Sequence, residues 1–412
     1  MSSSLARRLT GTRSLGLAIG DQAVSSLTNV IAVLVVARQL DAASFGSFSL
    51  TYVVLTLFLG VGRAFFGLPL SLSARAGGAS SRRLFEQALA ALLAAALPIS
   101  LVVFGVGSTL SGSWHGSQSA AIIAVAVATP LVLLQDVARY YALAIGRAGT
   151  ALLADAVWFV GVVGLFITPL HSLALFSWWI GAILASLVIF TVSFHPKPEW
   201  EAAVQALRPE RGLRTNVSGT VILSNITSLS VNGLASSRYG LELVGGLRGA
   251  STLFGPVNTL ITFLDFAVLP RLVRRPEASA RRLLLATFAA TVASTVLWVV
   301  VLLNIPDAWG VWLLGETWRT ASSIFHITAV EYVLLVCAAI LSLILKTRNA
   351  GRSLLVSKVI SSAAIIVGVA VALFVSSTVL GVPLAIALGA GISCLSLAVS
   401  VLLTSPRRKR DA

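Results

Sequence analysis

Twelve stretches of this chain are long and apolar enough to cross a lipid bilayer: 15–37, 45–72, 84–108, 119–144, 150–170, 172–194, 215–237, 243–269, 283–304, 321–345, 354–375 and 379–403. A spanning helix needs about 20 mostly apolar residues, and in hydrocarbon every backbone polar group must be satisfied within the protein. Helices are the element that meets both demands here, because the alternation of a membrane β-barrel strand is absent. Composition agrees, with 57% hydrophobic and 11% charged residues in 412, against about a quarter charged in soluble domains. The expected fold is an all-α polytopic membrane protein of about twelve transmembrane helices.

The chain also repeats itself. Arg13 returns as Arg214, Arg38 as Arg238, Gly46 as Gly246, Pro69 as Pro270, and Arg82-Arg83 as Arg281-Arg282. Arg147-Ala148-Gly149 with Leu152-Leu153 returns as Arg348-Asn349-Ala350-Gly351 with Leu354-Leu355. The offset stays between 199 and 202, which a duplicated six-helix unit explains. Residues 1–194 are read as one lobe and 215–412 as the other. The polar segment 195–214, with Pro196, Pro198, Glu199, Glu201 and Pro209, forms the linker between them. Six spans per lobe give both the same orientation, so the expected symmetry is a pseudo-two-fold along the membrane normal.

Basic residues set the orientation. With a cytoplasmic N-terminus, 25 of the 30 Lys and Arg fall on the inside, four on the outside (Arg38, Arg238, Arg248, Arg319), and Arg63 lies within a span. Both termini are therefore expected in the cytoplasm of a cell (plasma or inner) membrane, without a cleaved leader. The net charge of +15 reads as this topology signal and does not call for a nucleic-acid partner. Cys337 and Cys394 both fall inside spans, which excludes a disulfide framework. Loops this short leave no room for a catalytic domain. No phosphate loop, His-Glu-x-x-His or Gly-x-Ser-x-Gly occurs, and the four histidines are scattered. The chain is read as no enzyme, with no cofactor and no metal.

Polar residues inside the spans carry the functional information. Arg63 lies well within the second span, where a central Arg costs about 2.5–3.5 kcal/mol to insert; it is read as facing a wet cavity. Asp21, Ser25, Thr28 and Asn29 share one face of the first helix, as Ser218, Asn225, Asn232 and Ser236 do on the seventh. These stripes suit a central path, or serve as polar glue between helices. Asp136 and Asp155 are read as lying near the membrane interface beside Arg139 and Arg147. Asp21, Glu331 and Asp265 are the candidates for coupling to an ion. Arg38 and Arg238 stand at equivalent outer helix ends.

The opening residues Asp21-Gln22-Ala23-Val24-Ser25-Ser26-Leu27-Thr28-Asn29, then Val36-Ala37-Arg38-Gln39-Leu40 and Phe45-Gly46-Ser47-Phe48-Ser49-Leu50, resemble the start of polysaccharide-biosynthesis flippases of the O-antigen type. These belong to the multidrug/oligosaccharidyl-lipid/polysaccharide (MOP) exporter superfamily. The resemblance is sharpest over residues 13–70. It implies a two-lobed transporter that flips a polyprenyl-pyrophosphate-linked oligosaccharide from the inner to the outer leaflet by alternating access. It implies Arg38 and Arg63 as the cavity cations of the first lobe; with Arg238, at the position equivalent to Arg38, and Asn29, Asn225 and Asn232 of the polar stripes, they are the expected substrate-binding residues. Its implied partners are the lipid-linked glycan, membrane lipids, and a glycan polymerase or other assembly proteins. The two extra C-terminal helices of a lipid II flippase are missing. The acid in helix one is instead a feature of multidrug antiporters in the same superfamily. A cation-coupled multidrug exporter, or another twelve-helix secondary transporter, is the alternative expectation.

Overall fold

The computed structural model describes residues 2–73, 78–112, 116–168, 170, 172–202, 213–264, 268–269, 272, 276–348, 350–375 and 378–404. The described residues are almost entirely helical, and no strand occurs among them. They form two compact units, Met1–Asn225 and Ile226–Ala412. The first holds α1 (Ser2–Gln39), α2 (Ala42–Gly62), a π-helical turn (Arg63–Gly67), α3 (Leu68–Ser73), α4 (Gly78–Ser111), α5 (Gly116–Ala144), α6 (Ala148–Ile167) and α7 (Ser172–Phe194). The long α8 (Leu213–Leu253) follows, then α9 (Gly255–Phe263), α10 (Glu277–Leu303), α11 (Asp307–Leu314), α12 (Trp318–Thr347), α13 (Gly351–Val375) and α14 (Gly381–Leu403).

Among the described residues, ten spans are long and apolar enough to cross a membrane. Of the two further expected spans, 215–237 falls on α8 and 243–269 runs from the end of α8 onto α9; the Asn, Ser, Arg238, Glu242 and Arg248 of α8 lower its hydropathy. α8 is two helices joined at Gly240, where φ is 79° and ψ 175°, a conformation that glycine adopts without penalty. In the first unit the corresponding turn falls at Leu40-Asp41, between α1 and α2. The duplicated halves thus bend at the same place by different means, one with a glycine and one with a capping aspartate.

Asp41 caps α2 by accepting from the Ser44 backbone N–H at 2.9 Å and from Ser44 Oγ at 2.6 Å. Ser117 Oγ, at the start of α5, donates to the same carboxylate at 3.2 Å and so ties two helix ends together. Partial burial pushes the Asp41 carboxyl upward, but these three bonds outweigh it and hold the group below its ordinary value of 3.8. A lowered folded-state value stabilises the fold above the ordinary value and loses that contribution as pH falls through the lowered one. Thermal melts of wild type and Asp41→Asn should therefore converge as the pH drops below about 4. At neutral pH the wild type should be the more stable. An unchanged difference across that range would refute the capping role.

A second device is repeated with its residues. Arg147, in the turn before α6, donates to the Ser193 carbonyl at 3.4 Å and covers the Phe194 ring at 5.8 Å, at the C-terminus of α7. Arg348, its counterpart before α13, donates to the Val401 carbonyl at 2.6 Å and to Thr404 Oγ1 at 3.2 Å, at the C-terminus of α14. Each guanidinium thus satisfies carbonyls that a helix end leaves without partners, at the negative pole of the helix dipole. Small residues bring the same helix pairs close. A methyl added at Gly161 on α6 would lie 2.5 Å from the Ala182 Cβ of α7, and one at Gly368 on α13 would lie 3.3 Å from the Ala385 Cβ of α14.

Each unit buries little on its outer surface. Leu97 and Leu101 on α4, Leu285 and Leu297 on α10, and Leu388, Leu395 and Leu402 on α14 are all more than half exposed, as lipid-facing side chains are. The first part of the expected linker is fastened to α4: the Glu199 N–H donates to the Glu86 carbonyl at 3.2 Å, and Arg83 pairs with the Glu199 carboxylate at 3.3 Å. Residues 203–212 lie outside the described residues.

Candidate functional site

α5 is the hub of the first unit, packing against α2, α4, α6 and α7, and three of its residues form the centre of a buried polar cluster. Gln135, Asp136 and Arg139 lie within four residues of one another and are each under a tenth exposed. Asp136 reaches the π-helical turn, where Arg63 donates to it through Nε at 3.2 and 3.0 Å and through Nη2 at 2.8 Å. This two-pronged grip is the strongest pairing a guanidinium makes with a carboxylate. Arg139 reaches α1, where its Nε and Nη2 lie 2.8 and 2.7 Å from Asp21 Oδ2 and its Nη2 donates to Gln22 Oε1 at 3.0 Å. Its Nε also lies 3.3 Å from Asp155 Oδ2 on α6, while Gln135 Nε2 donates to Asp155 Oδ1 at 2.6 Å.

Two features of this network bear on chemistry. Among the described residues Asp21, Asp136 and Asp155 pair with Arg63 and Arg139, so with all three carboxylates ionised one negative charge is uncompensated. The single guanidinium of Arg139 is shared between Asp21 and Asp155, and one oxygen of each, Asp21 Oδ1 and Asp155 Oδ2, is buried without a hydrogen bond among the described residues. Bringing such groups out of water costs several kcal/mol per ion unless they are paired. A site with one spare negative charge and a buried Asp21 Oδ1 without a hydrogen bond can take up one positive charge.

The π-helical turn positions Arg63. A π turn widens the helix by one residue and is common at functional sites. Gly67 lets the ring of Tyr140 on α5 come close, since a methyl there would lie 3.0 Å from Tyr140 Cε2. Arg63 keeps 43% of its side chain exposed while Asp136 keeps 7%. It shares one face of α2 with Tyr52 and Thr56, at spacings of four and seven. Tyr52 Oη lies 3.4 Å from Asn29 Oδ1 of α1, and Thr56 Oγ1 lies 3.3 Å from Asn225 Oδ1. The expected residues Arg63, Asn29 and Asn225 thus border one polar face of the first unit.

The remaining expected residues fall elsewhere. Arg38 donates to the Phe166 carbonyl at 3.3 Å and covers the Phe166 ring at 5.1 Å, so it caps the end of α6. Arg238 is exposed just before the Gly240 bend. Asn232 donates back to the Ser228 carbonyl of its own helix at 2.7 Å. Glu331 is half-buried on α12 beside Tyr332, whose hydroxyl accepts from Asn258 at 3.1 Å. Asp265, His115 and His171 lie outside the described residues.

The sequence reading sets Asp136 and Asp155 beside Arg139 and Arg147 and does not join them into a site. In the structure α5 continues to Ala144 and carries Arg139 against α1 and α6, where Asp136, Asp155 and Arg139 are buried among helices. The signal that could have found them is Gln135-Asp136-Arg139 within one turn of an otherwise apolar span.

No family model matches the sequence, and no curated protein matches it. Solved structures do match in fold. An inward-facing multidrug-resistance transporter of the MATE family in the MOP superfamily aligns with a TM-score of 0.68 at 14% identity, over 95% of this chain and 98% of that one. The MATE multidrug transporter DinF-BH, solved in complex with a ligand, aligns with a TM-score of 0.64 at 12% identity, over 98% of this chain and 96% of that one. The eukaryotic MATE transporter AtDTX14 aligns at 0.58 and 15% identity, over 96% of each chain. The chain therefore has the twelve-helix, two-lobed fold of these transporters.

Proposed function

We propose that this protein is an alternating-access exporter of organic cations, driven by exchange for protons. The observation that carries the reading is the Asp21–Arg139–Asp155 cluster, whose charge balance with Arg63–Asp136 leaves room for one positive charge. A proton suits this site better than a metal cation, because Arg139 already occupies the place between the carboxylates where a metal would sit. The proton adds to Asp21 Oδ1, which is buried without a hydrogen bond, or to Asp155, which shares Arg139 with it. An organic cation takes the same charge vacancy from the polar face of Asn29, Tyr52, Thr56 and Asn225. Two ligands that compete for one charge bind in turn, and alternating exposure of the site to the two sides then yields exchange. The shared fold with solved multidrug transporters supports a drug-like substrate class. Glu331, a lone carboxylate on α12, is a second candidate for proton uptake.

Flipping of a lipid-linked glycan asks for guanidiniums left over to grip pyrophosphate. Arg63 is committed to Asp136 and Arg38 to the end of α6, and the cluster as a whole is acidic. The opening residues that resemble glycan flippases keep that substrate as the competing reading. In this scheme the positive-inside count sets both termini in the cytoplasm, and the internal repeat sets the two lobes at 1–194 and 215–412.

Reconstitution in liposomes tests it. A proton gradient imposed across the membrane should drive accumulation of tetraphenylphosphonium, and accumulation should collapse when the gradient is dissipated. Passage of a fluorescent polyprenyl-pyrophosphate oligosaccharide between leaflets, with no response to tetraphenylphosphonium or to the gradient, would overturn the proposal in favour of the flippase.

A further inference from the structure

Among the described residues of the second unit, the positions that answer to Arg63, Asp136 and Arg139 carry no charge. An offset of 201 residues, fixed by Arg147 and Arg348, sets Arg63 against Leu264, Asp136 against Cys337 and Arg139 against Ile340. Leu264 and Val268 carry the π-helical conformation at the position of Arg63–Gly67. Leu264 and Ile340 belong to one apolar cluster with Val268, Leu272 and Leu343. At these described positions the second unit is closed by apolar side chains, which sets the buried charges of the first unit apart from what packing at this place requires.

Asp136 and Arg139 are three residues apart, on neighbouring positions of one α5 face. Each holds its main partner on a different helix: Arg63 for Asp136, and Asp21 and Asp155 for Arg139. The titratable groups facing this place are Asp21 from α1, Arg63 from the π turn, Asp136, Arg139 and Tyr140 from α5, and Asp155 from α6. α7, which packs on α5 and α6, contributes none. At the N-terminal end of α4, Arg82 and Glu86 pair with each other at 3.0 Å.

We propose that Arg139 is a proton-operated switch between two sets of carboxylates, and that its movement toward Asp136 loosens Arg63 and drives the organic cation off. This rests on the proton-exchange reading and adds how the proton is felt at the substrate face. One proton binds to Asp155 or Asp21, forming an O–H bond and cancelling one negative charge. Nothing leaves and no electron moves. Arg139 then has one charged partner where it had two, and Asp136, one turn away on its own helix, attracts it more strongly than before. Asp136 cannot satisfy two guanidiniums as fully as one, so Arg63 loses part of its hold. Being already half exposed on the face it shares with Tyr52 and Thr56, Arg63 presents an uncompensated positive charge there. The organic cation is repelled without ever touching the proton.

Binding of tetraphenylphosphonium to the purified full-length protein in lipid nanodiscs, measured at pH 8 and at pH 5.5, separates this switch from direct competition. Wild type should bind more weakly at the lower pH, by the roughly 5- to 150-fold typical of coupled sites. Arg63→Gln should bind at pH 8 and keep most of that affinity at pH 5.5, because the repelling charge is gone. Arg63→Lys, a smaller change should the glutamine variant fail to fold, should still lose affinity on acidification. Asp136→Asn, which releases Arg63 permanently, should bind weakly at both values. If Arg63→Gln loses as much affinity as wild type, the switch is overturned while proton exchange stands. If wild type itself shows no loss, proton exchange falls and the switch with it.

Discussion

Replacing Arg139 by alanine should destabilise the protein by about 3–5 kcal/mol, the range seen when one member of a buried ion pair is removed. The reason is what stays behind. Asp21 is wholly buried and Asp155 is 2% exposed. Without Arg139 they become two like charges in a low-dielectric interior, and the neutral donor Gln135 on Asp155 cannot replace a lost cation. Thermal melting in detergent should show a large drop in midpoint for Arg139→Ala. Adding Asp155→Asn should recover part of the loss, because one of the stranded charges is removed. The apolar counterpart in the second unit predicts more: a variant that turns Arg139, Asp21 and Asp155 together into Leu or Ile residues should fold well and transport nothing. A single Arg139→Ala that melts like wild type would mean that the cluster is solvated and the account of its burial is wrong.

Asp155→Asn and Asp21→Asn should each remove the effect of protons on substrate exchange. In a coupled system that effect amounts to about 1–3 kcal/mol, or 5- to 150-fold in affinity. An amide matches the carboxylate in shape and still meets Arg139 and Gln135, but it takes up no proton in the physiological range. In liposomes the asparagine variants, neutral like the protonated acids, should bind tetraphenylphosphonium weakly with little dependence on pH and should not concentrate it when a proton gradient is imposed. Exchange of labelled for unlabelled substrate at equal pH needs no proton and is the control for a folded, mobile protein. Gradient-driven accumulation at wild-type rates in both variants would remove Asp21 and Asp155 from the mechanism and leave Glu331 as the acid to examine.

Much of the architecture is legible in the residues that punctuate the spans. The repeat of Arg147 in Arg348 points to a shared structural task, and both guanidiniums close a helix end. The bend at Gly240 falls between two expected spans because glycine alone relieves a left-handed backbone there. The site was harder to read. Arg63 and Asp136 are 73 residues apart, and Arg139 and Asp21 are 118 apart, so no local spacing joins them. A buried charge announces in sequence that it needs a partner but does not say which. Arg38 shows the converse: a guanidinium at an outer helix end is indistinguishable by sequence from a ligand-binding one until the carbonyl of Phe166 is seen beneath it. The π-helical turn left no periodic signature, since Arg63 to Gly67 are as apolar, apart from Arg63, as the helix around them.

Under the proposed exchange, the single spare negative charge of the buried cluster also sets how the cycle meets the membrane voltage. Loaded with a proton or with a monovalent organic cation, the cluster is neutral, so the form that reorients carries no net charge in either direction. Voltage does work of about 2.3 kcal/mol per charge per 100 mV only on charge that is moved. One-for-one exchange of this kind is electrically silent and draws on the pH difference alone, and a dicationic substrate would be the first to make the cycle sensitive to membrane potential.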